Sequence, residues 1–199
     1  MGCLPRGEWI DFRDGNPSGD AQCLGKQREI RAEVIRALLL DACPGEPGYT
    51  QAVRLRGVRV VGPLDLTGAV IGSALVCEFC YFEDVIVLRD ATSKSLRIED
   101  SRFPGLDGTR LRAEGILSLR RSIVAGIVRL NQANVTEQVS LRRTTIMPGL
   151  GEVAASAEGL TVEGYLDWEE LEARGMVDLS GARISGSASF NGERILRPG

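Results

Sequence analysis

A chain of 199 residues, 43% of them hydrophobic, is long enough to bury the core of one globular domain. It contains no histidine, which removes the commonest general base, the commonest zinc ligand and every Ser-His or Cys-His nucleophile pair. A net charge of −3 is too small to indicate a nucleic-acid partner. These totals favour a protein that is not an enzyme, with no cofactor and no metal site.

The N-terminal segment, residues 1–52, lacks the regular pattern of the rest of the chain. Its first half contains Gly, Asp and Pro around an apolar cluster of Trp9, Ile10 and Phe12, and predicts an irregular arm that packs through this cluster. Residues 27–41 carry one apolar stripe at helical spacing and predict an amphipathic helix. We expect this helix to cap an open end of the fold that follows, with binding of a partner protein as the alternative.

Residues 53–199 repeat apolar residues at alternating intervals of five and six. The repeating positions are Leu55, Val60, Leu66, Ile71, Cys77, Phe82 and Leu88, then Leu119, Val124, Leu130, Val135, Leu141 and Ile146, and finally Ala157, Val162, Trp168, Ala173, Leu179, Ile184, Phe190 and Ile195. A second small or aliphatic position precedes each of them by two residues, so both side chains point inward from a short strand. Four such strands make one coil, and a period of this length predicts an all-β solenoid of about six coils.

Two segments depart from the repeat. Residues 107–110 fit neither phase and predict a distorted side or a bulged corner. Surplus residues between Ile146 and Ala157 predict a loop at 147–152, with a break between two stacks at 147–154 as an open alternative. Loops on a rigid scaffold often carry function, so a ligand or enzyme site at 147–152 or under the N-terminal arm is one hypothesis.

The sequences Leu64-Asp65-Leu66-Thr67-Gly68 and Val177-Asp178-Leu179-Ser180-Gly181 resemble the repeats of the pentapeptide-repeat proteins. The resemblance covers residues 53–195 and is to a divergent, eleven-residue version of the kind found in actinobacterial proteins. It implies a right-handed quadrilateral β-helix. It also implies one specific alternative function, a DNA mimic that binds a type II topoisomerase. The charge departs from that role, because residues 51–147 have a net charge of +4 and only residues 148–199 are acidic, at −5.

The chain contains a cysteine pair and three carboxylate pairs that could in principle form a catalytic or metal site, but a structural role explains each of them more simply. Cys77 and Cys80 have the spacing of a metal or redox motif, but both fall on inward positions and are predicted to be core thiols. The adjacent carboxylates Glu83-Asp84, Glu99-Asp100 and Glu169-Glu170 are predicted to be solvated corners, since paired acid–base catalysis needs carboxylates that face each other across a substrate.

One side of the predicted solenoid is nearly uncharged. Its outward residues are Val70, Gly72, Thr92, Lys94, Asn134 and Thr136, with Lys94 as the one charge. We expect this flat side, or an uncovered end, to bind an unknown protein partner or a second copy of the chain. A side where Arg lies beside Glu on neighbouring coils is predicted to neutralise itself. No apolar run could cross a bilayer and no export signal is visible, so we expect a cytoplasmic protein without membrane contact or nucleic-acid binding.

Overall fold

The computed structural model describes residues 7–12, 28–40, 51–149 and 152–196. In these residues the chain forms a parallel β-solenoid of about six turns and one α-helix. In chain order the elements are β1 (Trp9–Asp11), β2 (Glu29–Arg31), α1 (Ala32–Leu40), β3 (Ala52–Arg56), β4 (Arg59–Val61), β5 (Val70–Ile71), β6 (Ala74–Glu78), β7 (Tyr81–Phe82), β8 (Ile86–Val87), β9 (Thr92–Ser93), β10 (Leu96–Glu99), β11 (Arg102–Phe103), β12 (Leu106–Asp107), β13 (Arg112–Ala113), β14 (Ile116–Ser118), β15 (Ile123–Val124), β16 (Val128–Arg129), β17 (Asn134–Val135), β18 (Gln138–Ser140), β19 (Thr145–Ile146), β20 (Val153–Ser156), β21 (Thr161–Val162), β22 (Tyr165–Asp167), β23 (Glu172–Arg174), β24 (Met176–Asp178), β25 (Arg183–Ile184), β26 (Ser187–Ser189) and β27 (Arg194–Leu196).

Each coil passes through four parallel sheets, which we call sides A to D, and each corner is named by the two sides it joins. Side A is β1-β3-β6-β10-β14-β18-β22-β26 and side B is β2-β4-β7-β11-β15-β19-β23-β27. Side C is β8-β12-β16-β20-β24 and side D is β5-β9-β13-β17-β21-β25. The strands are too short to bury a face alone, so the core exists only because the coils stack.

The core contains the inward residues of all four sides. On side A, for example, Leu75 aligns with Val53 and Leu96 of the neighbouring coils, and all three side chains are buried. The predicted repeating positions are buried from Leu55 to Ala173, which confirms the repeat as the signal for the fold. The last four predicted positions are different: Leu179 and Ile184 are half-buried, and Phe190 and Ile195 are exposed.

The two strands described in the N-terminal segment belong to the solenoid. β1 extends side A and β2 extends side B, where Ile30 aligns with Val60. The prediction of irregular structure is therefore wrong for Trp9–Asp11. The predicted helix also starts too early, because Glu29–Arg31 pairs as a strand and the helix begins only at Ala32. The rest of the predicted arm, at 1–6 and 13–26, the first residue of the predicted helix, at 27, and the residues at 41–50 lie outside the described part of the chain.

Helix α1 covers the N-terminal end of the stack. It lies against β3 and β5 of the first coil. Its inward residues Ile35 and Leu39 are fully buried and belong to the same hydrophobic core as the coils. The capping position predicted for this helix is therefore observed.

The side predicted to be distorted, around residues 107–110, is regular. β12 pairs in register with β8 on one side and β16 on the other. The repeat is lost in the sequence for two reasons. The turn before β12, Pro104–Gly105, is one residue shorter than its counterpart Glu83–Val85. In addition, Gly108 occupies the inward position that Leu130 fills in the next coil, and a Cβ on Gly108 would come within 3.0 Å of the Leu130 side chain.

The surplus residues form the connection between β19 and β20, as predicted, and positions 150–151 lie outside the described residues. Glu152 donates its backbone N–H to the carbonyl of Gly149 at 3.2 Å, and its carboxylate accepts the N–H of Gly149 at 3.2 Å. All four sides continue in the same order past this connection. One irregularity follows it, a shift of register between Val153 and Ala155 in the pairing of β20 with β24.

Candidate interaction surfaces

The six residues predicted to form an uncharged face lie on side D. Val70, Thr92 and Asn134 are outward residues of β5, β9 and β17, and Gly72, Lys94 and Thr136 follow those strands directly. The structure brings all six together on one side, with Val70 largely exposed.

Side D is nevertheless charged, which corrects the prediction that Lys94 is its one charge. Arg112 aligns with Thr92 and with Asn134, so it lies in the middle of the predicted face. Glu114 follows Arg112 and binds the Lys94 ammonium at 2.7 Å. The sequence pattern missed both residues because they belong to the coil whose phase is obscured by the short turn and by Gly108. The binding role of this face stays a prediction.

The A–B corner carries a block of paired charges. Two coils present the arginine pairs 120–121 and 142–143, and the coils before and after them present the acidic pairs 99–100 and 169–170. Arg121 donates two hydrogen bonds to Asp100, at 2.6 and 2.7 Å. Arg143 donates two to Glu170, at 3.0 Å each, and these bonds lower the pKa of Glu170.

The predicted self-neutralising arrangement is therefore present, and each of the three acidic pairs has an ion-paired carboxylate rather than being simply solvated, because Arg59 also binds Glu83. Arg142 adds a contact to Glu169 at 3.1 Å, and Arg56 pairs with Glu78 on the two coils that directly precede the block. Exposed pairs of this kind contribute only ~0.2–1 kcal/mol each. Their main effect here is to leave little unpaired negative charge along this corner.

The inner face of the same corner is lined by buried hydroxyls. Ser101 donates to the Glu99 carbonyl at 2.7 Å, and Ser122 donates to the Ile98 carbonyl at 3.0 Å. Thr144 continues the row with a 2.7 Å bond to the Leu119 carbonyl. These small inward positions were visible in the sequence, and their hydrogen bonds hold backbone groups that the turn leaves unpaired. The row has a structural role.

The cysteine pair lies in the core, as predicted. Cys77 and Cys80 are free and fully buried. A hydrogen bond with Cys80 and burial both raise the pKa of the Cys77 thiol well above its usual value, so the reactive thiolate is disfavoured. Among the described residues no cluster of three or more His, Cys, Asp or Glu side chains is arranged to hold a metal ion.

The C-terminal end of the stack holds four of the eight large apolar side chains that are exposed among the described residues. Phe190 is 43% exposed and Ile195 is 53% exposed, although both occupy inward positions of their coil. Phe190 packs edge-on against the buried Trp168, with ring centroids 5.9 Å apart. Met176 and Leu196, at 57% and 44% exposed, add apolar surface at the B–C corner.

This end is also stepped. Sides A and B have β26 and β27 as their last strands, one coil beyond β24 on side C and β25 on side D. The half-coil of β26 and β27 stands above a recess whose floor is β24 and β25. The inward side chains of the half-coil are exposed. The inward side chains of the recess are half-buried, and they are Val177, Leu179, Ala182 and Ile184. The outer edges of all four strands carry backbone groups with no strand partner in the described part of the chain.

The chain matches no protein-family model, no curated protein and no solved structure. None of its described helical residues forms a segment with the length and apolarity that a membrane span requires. Its class is therefore defined by its architecture, a four-sided parallel β-solenoid with one end that a helix covers and one end that no described residue covers.

Proposed function

We propose that the protein is a non-catalytic β-helical scaffold that binds other proteins and associates with a second copy of itself. The observation that carries this proposal is the uncovered C-terminal end, where inward core residues are exposed beside unpaired strand edges. Surfaces of this composition are typical of protein–protein contact sites.

The same proposal includes the finer identity suggested by the sequence, a divergent pentapeptide-repeat-like protein with a right-handed coil. The turns of the two best-matching repeats support it. Asp65 accepts the N–H of Thr67 at 2.9 Å, and Asp178 accepts the N–H of Ser180 at 2.8 Å. A conserved local turn at equivalent places in distant coils is what a repeat of this kind requires. Free thiols at Cys77 and Cys80 support a cytoplasmic setting.

The scaffold is better supported than the DNA mimic. A mimic needs a continuous row of negative charge, whereas the carboxylates of the A–B corner are neutralised by Arg121, Arg142 and Arg143. On side C, Asp107 is likewise paired with Arg89 at 2.7 Å. The enzyme alternative at 147–152 has support only from its position in a loop.

Sedimentation velocity over a range of concentrations tests the proposal. We expect a dimer whose dissociation constant rises by roughly 30-fold or more in Ile195→Glu, because a charge would replace an apolar contact at the centre of the interface. Gln132→Glu places the same charge on an exposed corner and controls for the charge itself. Val70→Glu tests side D in the same assay. A chain that stays monomeric at the highest concentration overturns the proposed self-association.

A further inference from the structure

The stepped shape of the C-terminal end is complementary to itself. The raised half-coil consists of β26 and β27 on sides A and B. The recess beside it lies over β24 and β25 on sides C and D and is also two sides wide. We propose that a second copy docks end to end with its own half-coil seated in this recess. This inference rests on the proposed self-association and specifies its geometry.

A two-fold axis perpendicular to the stack, passing through the B–C and D–A corners, produces this arrangement. It exchanges the half of the end that contains sides A and B with the half that contains sides C and D. The partner's β27 then lies on β24, and the partner's β26 lies on β25. A half-turn of this kind reverses strand direction, so both new pairings are antiparallel. Every strand edge exposed at the end gains a partner, as the backbone hydrogen-bonding groups require.

The pairing of β27 with β24 brings together side chains of matching character. Because the partner's Leu196 and Met176 both lie at the B–C corner, they oppose each other, and both are exposed and apolar in the single chain. One position further, the partner's Ile195 meets Val177, which faces inward and is half-buried. At the third position the partner's Arg194 meets Asp178. The symmetry fixes this register, and all three pairs are favourable in it.

The second pairing completes the core. The partner's Ala188 lies over Ile184, and the partner's Phe190 reaches the C–D corner above Leu179 and Ala182. These last three residues are the half-buried floor of the recess, packed on the core from below and uncovered from above. The two half-coils together thus form one closed layer between the two stacks, with an apolar interior continuous from one copy to the other.

In each chain the side chains of Asp178 and Arg194 can form the ion pair at the rim of the contact. The Asp178 carboxylate accepts the N–H of Ser180, which lowers its pKa and keeps it charged near neutral pH. Neither Asp178 nor Arg194 forms an ion pair within the part of the chain that the structure describes. Opposite charges at symmetric ends of two copies give the contact its orientation.

A charge exchange tests the predicted neighbours. We expect Arg194→Glu and Asp178→Lys each to weaken the dimer by about 3- to 10-fold, since each places like charges opposite each other at a partly exposed rim. The double variant restores the opposite pair and should recover most of the lost affinity. Asp65→Lys removes the same local turn hydrogen bond far from this end, so it controls for the turn and should leave the dimer unchanged.

Disulfide trapping tests the register in a background with Cys3, Cys23 and Cys43 replaced by Ser. A chain with Asp178→Cys is mixed with a chain carrying Arg194→Cys and oxidised. We expect the mixture to give several-fold more covalent dimer than either chain alone, because residue 178 faces residue 194 of the second copy, and both positions lie away from the two-fold axis and do not face their own copies. A dimer without this excess, and with additive charge variants, overturns the interlocked geometry and leaves the proposed self-association standing. A monomer in sedimentation overturns both.

Discussion

The two ends of the solenoid solve the same physical problem in different ways. Stacked coils always leave an open layer of inward side chains and unpaired strand edges at each end. At the N-terminal end, α1 covers the first coil, and Ile35 and Leu39 are 0% exposed. At the C-terminal end, Ile195 is 53% exposed although it has the same place in its coil as the buried Ala173. Burial of a repeat residue is therefore decided by what lies above its coil.

The largest expected difference between the ends is in stability. Ile35→Ala should lower the free energy of unfolding by about 2–4 kcal/mol, because it leaves a cavity in the sealed end that the better helix propensity of alanine offsets only slightly. Ile195→Ala makes the same chemical change at the open end. It should cost the monomer less than about 1 kcal/mol, because half of that side chain is already in water. Urea unfolding at low protein concentration measures both values.

Equal costs for the two variants would contradict the comparison. If Ile195→Ala is as damaging as Ile35→Ala in the monomer, the C-terminal end is covered in solution by some part of the chain itself. Repeating the measurement at high concentration separates the contribution of the dimer, since association with a second copy adds stability that depends on concentration.

The middle of the stack differs from both ends in its corners. Left-handed backbone conformations recur at the A–B and C–D corners of successive coils. Glycines hold these positions at the ends, Gly57 and Gly68 in the first coil and Gly159, Gly181 and Gly192 in the last coils. Between them the positions hold Phe79, Asp90, Asp100, Arg110, Arg121, Gln132 and Arg143, and the A–B corner continues with Glu170, all with φ between 49° and 56°. A side chain in this region costs roughly 1 kcal/mol, so the middle coils carry strain that the ends avoid.

Replacing one of these middle residues by glycine should relieve the strain. We expect Gln132→Gly to raise the free energy of unfolding by about 0.5–1 kcal/mol, the relief at φ +56° being partly offset by the flexibility of glycine in the unfolded chain. Thr136→Gly is the matched control on the same coil, where φ is not positive, and it should be destabilising. A loss of stability in Gln132→Gly would show that the side chain makes compensating contacts.

The repeat predicted the fold because stacking imposes a periodic environment. Every inward slot from Leu55 to Ala173 needs an apolar or small residue, and the chain meets that need at fixed intervals. The signal failed where one slot holds Gly108, which has no side chain to mark it. The sequence Leu106-Asp107-Gly108-Thr109 still matches the turn of Leu64-Asp65-Leu66-Thr67, in which the N–H and hydroxyl of Thr donate to the carboxylate of Asp. Reading the turn in addition to the apolar residues would have recovered the phase.

The surfaces were less predictable for a related reason. Which outward residues become neighbours depends on the register of every coil, so the one coil with a lost phase hid Arg112 and Glu114 on side D. The open end was predicted in general terms, but its residues could not be identified. Phe190 and Ile195 continue the repeat without change, and what distinguishes them from Phe82 or Val60 is that no described part of the chain covers their coil.

The smallest expected effect is on the pH dependence of stability, in which the two ends should behave alike. Asp65 near the covered end and Asp178 near the open end each bind the backbone and hydroxyl of the residue two positions on. The Thr67 hydroxyl and N–H lower the pKa of Asp65, and the Ser180 N–H and hydroxyl lower the pKa of Asp178, from the usual 3.8. A depressed pKa in the folded state adds stability that is fully present above 3.8 and is lost as the pH falls through the folded value.

Asp65→Asn and Asp178→Asn keep a hydrogen-bond acceptor and remove the titration. In an Ile195→Lys background, whose charge persists at both pH values and in which we expect a monomer, each variant should therefore lose less stability than its parent when urea unfolding is repeated at pH 5 and near pH 3. The two reductions should be similar, because both turns are exposed and make the same bonds. A reduction at Asp65 alone would mean that the turn at the open end does not persist without a partner, which would tie its order directly to the second copy.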